Sequence, residues 1–115
     1  MTSRLENLSM TSRLENLLEQ HIRAYKLPKP ERNYKGIKNR RLEFDFAWPA
    51  IKIAVEVQGG VWKKGGHTSG KGVTRDCEKM CLAQLEGWIL LPVTGDHVKE
   101  GKAIDWIVEA MHIRK

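Results

Sequence analysis

The chain has 115 residues and a mass of 13.2 kDa, 41% hydrophobic and 30% charged, which allows one domain with one modest core and excludes a large multidomain enzyme. Four tryptophans and the apolar content exclude a disordered chain, and no run approaches the roughly 20 apolar residues of a membrane span. The net charge of +6 is uneven: residues 1 to 73 carry 14 basic and seven acidic side chains, residues 74 to 115 six and seven, so a polyanion is the first partner to expect.

In chain order, the opening eight residues MTSRLENL recur at 10 to 17. Nine positions turn a helix by half a revolution, so the two copies cannot serve one core face. Residues 1–9 are therefore an extension, and the domain proper is 10–115. The start has no apolar signal region, and two cysteines fit reduced thiols better than a disulfide framework, so a cytoplasmic protein is expected. The second copy continues as Leu14, Leu17, Leu18 and Ile22, with Ser12 and Glu15 spaced as a capping box, predicting a helix over about 11 to 26. The LPKP stretch stops it. Between Arg23 and Arg41 eight basic residues face Glu31 alone, in a stretch broken by Pro28, Pro30 and Gly36. Arg32, Lys35, Lys38, Arg40 and Arg41 are the phosphate-contact candidates there, although a solvated surface has the same composition.

Leu42, Phe44, Phe46 and Trp48 alternate with Glu43, Asp45 and Ala47, the period of a half-buried strand. After Pro49–Ala50, Ile51, Ile53, Val55 and Val57 alternate with Ala54, Glu56 and Gln58, and the two runs read as a hairpin. Residues 59–72 hold six glycines, three lysines and His67 without an acid, a loop of little intrinsic order. There Lys63, Lys64 and Lys71 could meet phosphates. Trp62 could stack on a base or fold back over the core. The run from Val73 reads as a helix capped by Thr74 and stopped at Gly87, burying Cys77, Met80, Cys81 and Leu85. The two cysteines, at i and i+4, lack the further ligands of a zinc set and read as packing. WILLPVT predicts a short strand covered on both faces and paired in parallel through the preceding helix. A last helix is expected over about 96 to 113. The fold class is α/β, with a central mixed sheet flanked by helices.

Asp45 and Glu56 each fall on the face opposite their strand's large apolar residues. Two close buried carboxylates repel, so each must take up a proton or a cation, and a divalent ion with oxygen ligands answers both. Mg²⁺ (or Mn²⁺) held by Asp45, Glu56 and the Val57 carbonyl is the expectation. The competing reading is an exposed or salt-bridged pair.

The segments FDFAWP, IAVEVQGGVW, GGH and KGVTRDCEKMCLAQLEGWILLPVT, covering about Leu42 to Thr94, resemble the small PD-(D/E)XK endonucleases of the phage-type, very-short-patch-repair-like branch. The resemblance implies a restriction-endonuclease-like domain that hydrolyses DNA phosphodiesters with Mg²⁺, with Asp45 and Glu56 as metal ligands. It places Gln58 where that superfamily carries a lysine. A neutral amide can orient or coordinate but brings no charge, so Lys79 or Lys71 must bring it, and Asp76 with Lys79 resembles the acid-and-base pair of this branch. The resemblance also implies a helix-borne Glu in the metal shell. Glu19 is favoured over Glu15, to which the capping box gives another role. His67 matches an active-site histidine of such relatives, suited to general acid or base work or to phosphate contact. A homodimer would suit paired cuts in branched or damaged DNA during phage DNA processing or repair. The alternative is a noncatalytic nucleic-acid-binding module on a nuclease scaffold, for which Gln58 is the argument. Retention of both carboxylates weighs against it, since acids repel phosphate.

Overall fold

The computed structural model describes residues 9–58 and 70–115; the duplicated residues 1–8 and the loop residues 59–69, which include Trp62, Lys63, Lys64 and His67, lie outside it. The first helix, α1 (Met10–Ala24), is capped by Ser9, whose hydroxyl accepts the Ser12 N–H at 3.1 Å. The predicted capping box on Ser12 and Glu15 is not used, because the cap is Ser9, three residues earlier, while the helix begins at Met10 close to the expected start. Leu14, Leu18 and Ile22, four residues apart, form its buried stripe.

The sheet has four strands in the order β1 (Glu31–Tyr34), β2 (Phe44–Trp48), β3 (Ile53–Gln58) and β4 (Ile89–Thr94), and it is mixed. β1 and β2 pair antiparallel, as do β2 and β3, with Phe46 opposite Val55 and Trp48 opposite Ile53. The hairpin turns through a 3₁₀ segment, Pro49–Ile51, closed by Lys52 in the left-handed conformation. β3 and β4 run parallel, joined through helix α2 (Gly70–Leu85), the right-handed crossover preference of such units being a property of the twisted strands they connect. The central position of β3 buries Ile53 to Val57 without interruption.

Two cores lie on the two faces. α1, α3 (Gly95–Lys99) and α4 (Lys102–Ile113) cover one with Leu18, Ile22, Phe46, Ile53, Val55, Val93, Ile104 and Ile107. α2 and the segment before β2 cover the other with Ile37, Leu42, Phe44, Ala47, Ala54, Ala83, Trp88 and Leu90. Trp48 and Trp88 are buried as expected, and the Trp48 indole donates to the Pro28 carbonyl at 2.7 Å.

Four expectations are corrected. β1, inside the basic segment, was not foreseen, since four residues reading ERNY carry no apolar alternation. Phe44 packs on the α2 face, 4.9 Å from the Trp88 ring, while Phe46 packs on the other face, so alternation breaks at Asp45, opposite Asn33 with its left-handed φ of 51°. α2 begins at Gly70, not at Thr74, and turns Asp76, Lys79, Met80 and Ala83 inward; Cys77, Cys81 and Leu85 are exposed, Leu85 at 83%. Small Ala83 permits close approach to the sheet, and that contact sets the helix's rotation. The last helix is two, broken at Gly101 with φ of +80°, a conformation glycine adopts without a side-chain clash. As expected, β4 pairs in parallel with β3 and is covered on both faces, by Val93 in one core and Leu90 in the other; it lies at the sheet edge with Pro92 exposed. Among the described residues no helix is long and apolar enough to cross a membrane.

Candidate active site

Asp45 and Glu56 meet where the β2–β3 ladder ends. The last paired residues are Phe46 and Val55; beyond them, the Val57 N–H donates to Asp45 Oδ2 at 2.7 Å. A carboxylate is thus built into the strand separation, and the charge-assisted bond holds its rotamer. Val57 contributes this N–H from the same residue whose carbonyl is the metal-ligand candidate. Glu56, one residue before it on the α2 face of β3, is the buried charged side chain, 7% exposed.

Lys79 reaches Glu56 from the inward face of α2. Its Nζ lies 2.5 Å from Glu56 Oε1 and also donates to the Glu43 carbonyl at 2.9 Å. Of the two lysines considered as the source of positive charge, Lys79 is the one at the carboxylate pair; Lys71 is exposed on the first turn of α2. Gln58 stands beside Thr94 at the end of the β3–β4 ladder. Burial pushes the Glu56 carboxyl up to about 8, helped by the Asp45 charge and a hydrogen bond between the two carboxyls, against the downward pull of Lys79.

On the other side of the sheet, Arg32 of β1 backs Asp45. Its Nε donates to the Asp45 carbonyl at 3.2 Å, its guanidinium lies 4.3 Å from the Phe46 ring centre, and it pairs with Glu15 and, at 3.1 Å, with Glu19. Glu19 also pairs with Arg23 at 3.0 Å. Burial and then the Asp45 charge raise the Glu15 carboxyl above its ordinary range, opposed by Arg32. Glu15, an α1 acid not engaged in capping, thus feels the hairpin carboxylate, and Glu19 pairs with both Arg32 and Arg23. Arg32, expected to hold phosphate, is engaged by two carboxylates, one backbone carbonyl and a ring.

A cleft of about 330 Å³ opens over Asp45, lined by Arg41, Leu42, Glu43, Arg75, Asp76 and Lys79. Arg40 is paired with Glu78, and Lys38 presents its backbone N–H to the Glu86 carboxylate at 3.3 Å; its side chain and that of Lys35 are exposed. Sequence reasoning missed Arg75. The signal available was its spacing, one residue before Asp76 and four before Lys79 on one helix. Among the described residues no three His, Cys, Asp or Glu side chains form a metal-holding group; Asp45 and Glu56 bring two carboxylates together at one end of the hairpin.

The chain is similar, at 29% identity over 93 residues, to uncharacterised proteins of Mycobacterium tuberculosis strains CDC 1551 and H37Rv. The alignment takes in 76% of this chain and 33% of those proteins, so the chain spans about a third of their length. No family model matches the chain, and no solved structure does.

Proposed function

We propose that this domain is a metal-dependent DNA endonuclease that hydrolyses phosphodiester bonds with Mg²⁺ or Mn²⁺, selective for branched or damaged DNA. The observation that carries the reading is the Asp45–Glu56 pair at the parting of two strands, with Lys79 2.5 Å from Glu56. Lysine supplied from α2 answers the Gln58 departure, since charge beside the reacting phosphate matters and its position in sequence does not.

In this reading Asp45 and Glu56 hold the ion, which supplies Lewis acidity that activates water and offsets phosphate charge. The Val57 N–H fixes the Asp45 carboxylate, and Arg32 fixes its backbone. Lys79, anchored by the Glu43 carbonyl, is placed to face the phosphate when Glu56 turns to a cation. Gln58 and His67 keep the roles the resemblance implies, and a homodimer remains part of the proposal for paired cuts.

The test is cleavage of labelled single-stranded, duplex, forked and four-way-junction DNA with Mg²⁺, Mn²⁺ or EDTA, comparing wild type with Glu56→Ala and Lys79→Ala. Metal-dependent cutting lost in Glu56→Ala and reduced by about 10² or more in Lys79→Ala is expected. Intact DNA in every lane with binding retained would establish the noncatalytic module instead.

A further inference from the structure

Arg41 and Arg75 enter the cleft from different elements, Arg41 from the run leading into β2 and Arg75 from the second turn of α2. Both are exposed, and among the described residues neither forms an ion pair, whereas Arg23, Arg32 and Arg40 all do. Arginines left unpaired beside Glu43, Asp45 and Asp76 keep their guanidinium donors for an outside anion. Arg75 also lines a second depression of about 340 Å³ along the start of α2, with Lys71, Thr74 and Glu78. The two depressions share Arg75, so the cations run in order from Arg41, past Lys79 and Arg75, to Lys71.

We propose that Arg41, Arg75 and Lys71 form a phosphate track that leads one DNA strand across the Asp45–Glu56 pair, the proposal resting on the nuclease reading above. Each depression is at the small end of ligand-sized cavities, a size that suits the phosphates of one strand's backbone. Arg75 is the central contact because it belongs to both depressions. Arg32 and Arg40, inside the same basic segment, are not part of the track: their carboxylate partners already occupy them.

Binding of labelled single-stranded DNA is measured by anisotropy with Ca²⁺ from about 50 to 200 mM salt, for wild type, Arg75→Gln, Arg41→Gln and the double variant. Lys99→Gln, on α3 across the sheet, is the control. Each arginine removed should lower the salt slope by about 1, and the double variant by about 2, with Lys99→Gln unchanged. Circular dichroism checks that these surface variants fold. A double variant that binds with the wild-type slope overturns the track and leaves the nuclease reading standing. Wild type that binds no DNA at the lowest salt overturns both. Tighter binding of RNA of the same sequence overturns DNA as the occupant.

Discussion

The two faces of the sheet are built for different ends. On the face under α1, α3 and α4, fourteen buried residues make one continuous apolar cluster, with Leu18, Phe46, Ile53, Val55, Val93 and Ile107 fully enclosed. On the face under α2, eight buried residues include three alanines, and beyond them the same face carries Glu56, Lys79 and the cleft. Cohesion is concentrated on one side, which lets the other bury a carboxylate at a local cost in stability.

The comparison is broken most directly by cutting into the first face. Phe46→Ala should cost about 3–5 kcal/mol in urea unfolding, because it leaves a cavity among fully enclosed neighbours and removes the ring under Arg32. The second face responds to pH instead. Glu56 in the folded chain holds its proton up to about 8, against an ordinary value of 4.5, so between these pH values the folded state binds more protons than the unfolded one. The contribution is fully present below pH 4.5 and is lost as pH rises through 8, amounting to a few kcal/mol at most. Without divalent ion, wild type should therefore lose stability over this range while Glu56→Gln stays flatter; equal profiles would show that Glu56 does not hold the proton. Mg²⁺ binding to the ionised pair should offset part of the loss at pH 8.

Smaller effects sharpen the contrast. Arg32→Gln leaves Glu15 near Asp45 without its arginine, while Glu19 keeps Arg23, and should cost about 1–3 kcal/mol, more at pH 8 than at pH 5. Gly36→Ala should cost about 1–3 kcal/mol as well, since a Cβ there would sit 2.6 Å from Phe44 and 2.8 Å from Trp88, rings packed together with no free space to yield. Leu85→Ser should change stability by no more than about 0.5 kcal/mol, as that leucine faces solvent. A large loss there would mean the outer face of α2 is covered.

Much of the second face was unreadable in sequence for a shared reason. Val73, Cys77, Cys81 and Leu85 have the spacing of a buried stripe, yet contact through Ala83 and Met80 turns that stripe outward. Periodicity reports that a helix has an apolar side; which side meets the sheet depends on fit with residues distant in sequence. Phe44 shows the same limit in a strand, since its face is set by Trp88, 44 residues later, and by the irregular Asn33 opposite Asp45.

What the sequence determined by itself is what nearest neighbours dictate: the α1 stripe of Leu14, Leu18 and Ile22, the alternation of β3, the hairpin at Pro49, and the placing of Glu56 on the face opposite Ile53, Val55 and Val57. Strand and helix periods are local backbone geometry, legible within ten residues. Only the tertiary structure decided that Lys79 meets Glu56, 23 residues away, that Arg32 is held by Glu15 and Glu19, and that Arg41 and Arg75 share one cleft. Those pairings depend on how α1 and α2 rotate as they dock, and rotation is chosen by packing between surfaces the linear chain does not bring together.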